Sequence, residues 1–130
     1  MRKPTAEWVR KAEADFVAAE HLAKAKPPVH DPLCFHCQQA AEKYLKALLE
    51  EYRIPIPGTH DLDVLLNLIL PQQPKTASLR RILNLLTQYA VEYRYPGLHA
   101  SSRQARSALR HAARVREQIR HALALPVGKR

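Results

Sequence analysis

Apolar residues that recur every three or four positions between Leu33 and Arg53 constrain the fold of this chain most. At 3.6 residues per turn, this spacing places them on one face of a single helix. The face consists of Cys34, Cys37, Ala41, Tyr44, Leu45, Leu48 and Tyr52. The charged residues of the same segment are expected to point away from it, namely Glu42, Lys43, Lys46, Glu50 and Glu51. We therefore predict a central helix against which the other helices bury their apolar surfaces.

Proline and glycine divide the rest of the chain into further helical segments. Pro27 and Pro28 end a first helix, Pro71 ends a third, and Pro96 with Gly97 separates the last two. The predicted helices span Thr5 to Lys26, Asp31 or Pro32 to Arg53, Asp61 to Leu70, Thr76 to Tyr93, and Ser101 or Ser102 to about Leu125. At the start of the last helix, Ser101 and Gln104 have the spacing of a capping box. No segment alternates apolar and polar residues as a half-buried strand does. The sequence therefore predicts an all-α bundle of mostly antiparallel helices.

The length of 130 residues is sufficient for one domain with its own core. We expect a single domain over residues 1–130, with its packed part at about 5–125 and a short basic tail at 126–130. Hydrophobic residues make up 46% of the chain, which is ordinary for a soluble protein, and no apolar run approaches the roughly 18 residues of a membrane span. The first residues lack the apolar segment of a secretory signal, so we expect a cytoplasmic protein that does not bind membranes.

Positive charge is concentrated in the last part of the chain. Residues 1–93 hold 12 Lys and Arg against 11 Asp and Glu, whereas residues 94–130 hold 9 against one. On the last predicted helix, one face carries Arg103, Arg106, Arg110 and Arg114, and a second row carries Arg116 and Arg120. Such a surface can bind the phosphates of a nucleic acid. An acidic protein would fit it equally well, and a solvated helix face without a partner is the simplest alternative.

Cys34 and Cys37, with His36 between them, are residue types that a zinc or thiol redox site would use. Thiol redox motifs of this spacing occur in a βαβ context, and zinc needs two further ligands at a recognisable spacing; the sequence supplies neither. Because both cysteines lie on the apolar face of the central helix, we interpret them as small buried side chains. Nothing in the sequence indicates a bound metal or a cofactor.

Two pairs of polar residues are interpreted as structural. Gln38 and Gln39 have long amide side chains beside the apolar face, where they can form hydrogen bonds to another helix or to a loop. His60 and Asp61 precede the third helix, where an imidazole more often holds a loop in place than takes part in chemistry. We therefore expect Gln38 and Gln39 to bridge to another helix or to a loop, and His60 to hold the loop before the third helix in place.

The connection before the last helix, with the sequence RYPGLH from Arg94 to His99, combines a cation with a titratable imidazole. Cleavage of RNA without a metal requires a base for the 2′-hydroxyl, an acid for the leaving oxygen and a cation on the phosphate. Histidine titrates in the required range, and arginine binds phosphate oxygens through two parallel hydrogen bonds. On spacing alone the pair is a weak signal, and a capped surface loop is the alternative interpretation.

Four segments together resemble the HEPN domain of prokaryotes. They are WVRKAEADFVAAEHL, CFHCQQAAEKYLKALL, HDL at 60–62 and RYPG at 94–97, and the resemblance covers roughly residues 6–125. It implies an up-and-down helical bundle of four long helices plus one short helix, usually assembled as a homodimer. Many members are encoded beside a small nucleotidyltransferase and form toxin–antitoxin pairs with it. A nucleotidyltransferase antitoxin is therefore an expected partner.

The resemblance also implies a function for the Arg94 to His99 segment. In active members an Arg, four to six variable residues and a His form a metal-independent ribonuclease site assembled from both subunits, and Arg94 and His99 fit that spacing. Arg103, Arg106, Arg110 and Arg114 would then hold the RNA backbone. Active members often have a polar residue directly after the Arg, whereas this chain has Tyr95. In some members the partner protein silences the toxin by transferring a nucleotide to a tyrosine near the motif. The resemblance therefore makes Tyr95 or Tyr93 a candidate for modification.

The sequence thus favours a ribonuclease toxin and leaves two alternatives open. One is a non-catalytic module that binds a nucleotide or docks on a nucleotidyltransferase, in which the RYPGLH turn is a structural or phosphate-binding corner. The other is a dimeric scaffold without a ligand. If the protein is a ribonuclease, the copies of Arg94 and His99 from two subunits should converge in one cleft. If it is a non-catalytic binding module, His99 can be lost without consequence for binding.

Overall fold

A computed structural model describes residues 1–128 of the chain. These residues form five α-helices and no strand, which confirms the predicted all-α bundle. The helices are α1 (Lys3–Ala23), α2 (His30–Glu51), α3 (Leu62–Ile69), α4 (Arg80–Glu92) and α5 (Ser102–Ala122). None of these helices is both long and apolar enough to cross a membrane. The predicted tail at 126–130 includes Lys129 and Arg130, which lie outside the described residues.

The predicted central helix is α2, which packs against the other four helices. The six predicted apolar residues from Cys34 to Leu48 are fully buried, and Tyr52 just beyond the helix is half-buried. Burial extends beyond the predicted face to Leu33, Ala40, Ala47 and Leu49, because neighbours on several sides cover this helix. The core of the bundle is therefore built around α2.

Helix ends differ from prediction where the chain uses a left-handed residue other than glycine. Arg53 has a φ of 58° and Ala124 a φ of 57°. Beyond α2, the N–H of Ile54 donates to the carbonyl of Leu49 at 2.9 Å, closing a C-terminal cap that needs this left-handed turn. Because no glycine marks these left-handed positions in the sequence, the predicted boundaries lay beyond the actual ends of α2 and α5.

The predicted helix from Thr76 to Tyr93 is divided into two parts. Residues Pro74–Leu79 form a 3₁₀-helix, and α4 begins only at Arg80. At Thr76 both the backbone N–H and the side-chain hydroxyl donate to the carbonyl of Gln73, at 3.0 and 2.7 Å, which fixes an i to i+3 turn. The apolar spacing alone does not distinguish this tighter turn from an α-helix.

Glu42 does not point away from the core, contrary to prediction. It is buried and accepts hydrogen bonds from the side chains of Gln38 (3.0 Å), His60 (3.0 Å) and Lys46 (2.9 Å). Burial alone would raise the pKa of Glu42, but these three partners together lower it. Gln38 also donates to the carbonyl of His60 at 3.3 Å, and Gln39 donates to Gln38. The predicted structural roles of Gln38 and His60 are confirmed, since they attach the loop before α3 to α2.

A second buried network joins α1, α2 and α5. The guanidinium of Arg116 donates to both carboxylate oxygens of Glu13, at 2.8 and 2.9 Å, and the hydroxyl of Tyr44 also donates to Glu13. Arg120 donates to the Tyr44 hydroxyl at 3.2 Å. Burial opposes ionisation of Glu13, but the hydrogen bonds and charges of these neighbours outweigh it and lower its pKa to about 2. Arg116 and Arg120 therefore stabilise the bundle.

Candidate functional site

The connection between α4 and α5 is an exposed turn that presents the RYPGLH residues. Gly97 has a φ of 86°, a conformation that an L side chain rarely adopts, and the N–H of Leu98 donates to the carbonyl of Tyr95 at 3.3 Å. The hydroxyl of Ser101 accepts from the N–H of Gln104 while the Gln104 side chain accepts from the N–H of Ser101, so the predicted capping box begins α5. A tight turn followed by a capped helix thus fixes the backbone on both sides of His99.

His99 is held by a residue that sequence reasoning did not connect with it. Asp31 lies in the first turn of α2, and one of its oxygens is 3.0 Å from Nδ1 of His99. The other oxygen accepts from the N–H of Ala100 at 2.7 Å. Asp31 therefore ties the beginning of α5 to the beginning of α2. Because 68 positions separate it from His99, no local spacing in the sequence could have paired the two residues.

Arg94 lines a shallow cavity of about 340 Å³ between α2 and the end of α4. The other lining residues are Asp31, Pro32, Phe35, Tyr89, Ala90 and Tyr93. The rings of Tyr89 and Tyr93 stack with their centroids 5.8 Å apart. Burial is the main cause that raises the pKa of Tyr93 above its ordinary value of 10. Asp31 is common to the two sets of contacts, since it lines the cavity beside Arg94 and also holds His99.

Tyr95, the candidate for modification, lies in the exposed part of the turn. It is 57% exposed and does not line the cavity that holds Arg94 and Tyr93. Leu98 is also exposed, as are Phe35 on α2 and Val91 on α4. The turn is therefore bordered by apolar surface that this single chain leaves uncovered.

The predicted arginine face is exposed on the side of α5 opposite the core. Arg103, Arg106, Arg110 and Arg114 are all exposed, whereas Ala105, Ala108, Ala112, Val115 and Ile119 are buried beneath them. The second predicted row is wrong as a binding surface. Arg116 is only 5% exposed and pairs with Glu13, and Arg120 reaches Tyr44 in the same network. Their guanidinium groups are used inside the bundle because α1 supplies a carboxylate opposite them.

The two cysteines are fully buried and not joined by a disulfide. Burial raises the pKa of the Cys34 thiol to about 11 and raises that of Cys37 further, so both remain protonated thiols at neutral pH. His36 uses Nδ1 for a 2.8 Å contact with Asp15 on α1. Within residues 1–128, no three His, Cys, Asp or Glu side chains are grouped as metal ligands. The interpretation of Cys34 and Cys37 as buried apolar residues is confirmed.

Comparison with known proteins identifies the family of this helical bundle. The profile of the HEPN domain matches residues 5–122. The chain belongs to the HEPN domain family. Among solved structures, the crystal structure of an archaeal HEPN homologue is similar to this HEPN protein with a TM-score of 0.76 and 23% sequence identity, over 95% of this chain and 99% of that chain, which supports the shared fold. A comparison with curated proteins finds no match.

HEPN domains are commonly dimeric. The match extends from α1 to the end of α5 and so includes the turn with Arg94 and His99. The family assignment made from the four sequence segments is confirmed, and the roles of individual residues remain predictions.

Proposed function

We propose that this HEPN protein is a metal-independent endoribonuclease and the toxin component of a toxin–antitoxin module. The observation that supports the proposal most is the position of Asp31, which lines a cavity with Arg94 and also holds the imidazole of His99. This arrangement gives one surface both a cation for the phosphate and a base. The spacing of Arg94 and His99 is that of active members of the family.

The reaction we propose is attack of a ribose 2′-hydroxyl on the adjacent phosphorus. A new P–O2′ bond forms and the P–O5′ bond breaks, which leaves a 2′,3′-cyclic phosphate on one fragment and a 5′-hydroxyl on the other. His99 would remove the proton of the 2′-hydroxyl or protonate the departing oxygen. Arg94 would bind the phosphate oxygens as negative charge accumulates on them.

A homodimer would complete the site, because the reaction needs both a base and an acid. Two copies of the turn facing each other supply one His99 for each role. The apolar surface around the turn, formed by Phe35, Val91, Tyr95 and Leu98, supports this arrangement, since it is exposed in the single chain and a second copy would cover it. The RNA backbone would then follow the exposed arginines of α5.

The proposed antitoxin is a nucleotidyltransferase that acts on the turn in the cytoplasm. Tyr95 supports this proposal because its side chain is exposed one residue from Arg94. Transfer of a nucleotide to its hydroxyl would add bulk and negative charge beside the guanidinium. Both effects would hinder the approach of an RNA phosphate.

The chemical ends of the RNA fragments test the proposed reaction. We expect the purified wild-type protein to leave 2′,3′-cyclic phosphate ends and 5′-hydroxyl ends on a labelled single-stranded RNA. Fragments with 5′-phosphate ends would contradict the attack by the 2′-hydroxyl. RNA that remains intact, together with a nucleotide that binds beside Arg94 and Tyr93, would instead establish the non-catalytic alternative.

A further inference from the structure

We infer that Asp31 is a positioning residue that fixes the tautomer of His99 and thereby selects Nε2 as the nitrogen that exchanges protons with the substrate. The catalytic part of this inference rests on the proposed ribonuclease function. The structural part concerns only the contact between the two side chains and can be measured without RNA.

The hydrogen-bonding chemistry of a carboxylate determines the direction of this contact. An ionised carboxylate accepts hydrogen bonds and donates none, so at 3.0 Å from Asp31 the Nδ1 atom of neutral His99 must carry the proton. The lone pair of the ring is then on Nε2. The His99 side chain is 76% exposed, which leaves room for a substrate hydroxyl to approach. A general base needs a free lone pair, and this contact provides it on a defined atom.

Asp31 is itself held in place by two features of the backbone. One carboxylate oxygen accepts from the N–H of Ala100 at 2.7 Å, so the carboxylate cannot rotate away from His99 without losing that bond. Its place in the first turn of α2 puts a negative charge at the positive end of the helix dipole. The imidazole is therefore supported by the rigid beginning of two helices, although the turn that carries it is exposed.

The variant Asp31→Asn tests the inference with little change of shape. Its amide oxygen can still accept from the N–H of Ala100, which directs the NH₂ group at Nδ1 of His99. An NH₂ group donates, so the variant favours the opposite tautomer, with the proton on Nε2. The analogous exchange in the serine protease triad keeps the geometry and lowers kcat about 10⁴-fold. Because the His99 side chain is 76% exposed and water can also bond to its ring, we expect a smaller effect here, with RNA cleavage falling about 10²- to 10³-fold.

The matched control is Asp61→Asn. Asp61 is the N-cap residue of α3 and accepts a backbone N–H, that of Asp63 at 2.9 Å, but within residues 1–128 its side chain forms no hydrogen bond to a histidine. This control should keep the tautomer of His99 and the wild-type cleavage rate. Melting curves followed by circular dichroism compare the folding of both variants.

The deciding measurement is the ¹⁵N chemical shifts of the His99 ring at about pH 9, where an ordinary histidine is neutral. The signals are assigned by their loss in His99→Ala. We expect the proton on Nδ1 in the wild type and in Asp61→Asn, and on Nε2 in Asp31→Asn. A wild-type proton on Nε2, or the same tautomer in wild type and Asp31→Asn, would overturn the inference. If the wild type cleaves no RNA, the proposed function fails while these spectra still decide whether Asp31 fixes the imidazole.

Discussion

Replacing His99 with alanine is expected to lower the rate of RNA cleavage by about 10²- to 10⁴-fold, the usual contribution of a general acid or base. The variant removes the imidazole but leaves Arg94 and the exposed arginines of α5 in place, so RNA binding should persist. The fold should also persist, because the His99 side chain is largely exposed and its only hydrogen bond to a residue in the described range 1–128 is the one with Asp31. Single-turnover rates with saturating protein measure the cleavage step separately from binding.

Two control variants separate catalysis from binding. His121→Ala removes another exposed histidine of the basic segment and should cleave at the wild-type rate. Arg110→Gln removes one exposed arginine of α5 and should weaken RNA affinity, reducing the slope of log affinity against log salt by about 0.7 for one lost contact to single-stranded RNA. Wild-type cleavage by His99→Ala would show that His99 is not the catalytic group and would favour the non-catalytic alternative.

Replacing Glu13 with alanine is expected to lower the free energy of unfolding at neutral pH by about 3 kcal/mol, at the lower end of the cost of breaking a buried ion pair. The change leaves Arg116, which is 5% exposed, without the carboxylate that it contacts through two hydrogen bonds. We expect the lower end of the range for buried ion pairs because the Glu13 side chain itself is 24% exposed. Urea unfolding of the two proteins measures the difference.

The matched control for Glu13 is Glu7 on the same helix. Glu7 pairs with Arg10, and both side chains are mostly exposed, so Glu7→Ala should change the free energy of unfolding by less than about 0.5 kcal/mol. Equal losses in the two variants would contradict the assigned role of the Glu13 network.

The effect of Glu13→Ala should also depend on pH. The folded-state pKa of Glu13 is about 2, below the ordinary value of 4.5, so the folded state binds its proton less readily than the unfolded state does. The contribution of ionised Glu13 to the free energy of unfolding is fully present above about pH 4.5 and is lost as the pH falls toward 2. We therefore expect the difference between wild type and Glu13→Ala to narrow on acidification, and a difference that stays constant down to pH 2 would contradict this linkage.

The features of the fold that depend on residues close together in the sequence could be predicted from the sequence. The apolar spacing of α2 identified its buried face, and the Ser101 and Gln104 spacing identified the beginning of α5. Periodicity assigns a charged residue to the solvent, however, and it failed at Glu42 and Arg116. Each of these charges is buried beside a partner of opposite charge, and for Arg116 the partner lies 103 positions away. A local pattern can place Lys46 beside Glu42, but it contains no information about more distant contacts, such as those of Glu42 with His60 and of Arg116 with Glu13.

In the candidate site, too, the residues close together in the sequence could be predicted, whereas the contact between distant residues could not. Arg94 and His99 were identified because they occur in one short segment with a recognisable spacing. Asp31 was noticed only as a place where the central helix could begin, and its contact with His99 exists because the bundle brings the beginnings of α2 and α5 together. The residue that holds the candidate catalytic imidazole of His99 is thus placed there by the tertiary fold, while His99 itself can be identified as a candidate from the sequence.

Cleavage of a labelled RNA by the wild-type protein in excess EDTA tests the central claim most directly, because the claim is that Arg94 and His99 act without a metal ion. We predict that the rate in EDTA equals the rate in its absence, and that added Mg²⁺ does not increase it. RNA that stays intact in EDTA and is cleaved once Mg²⁺ is restored would contradict the account.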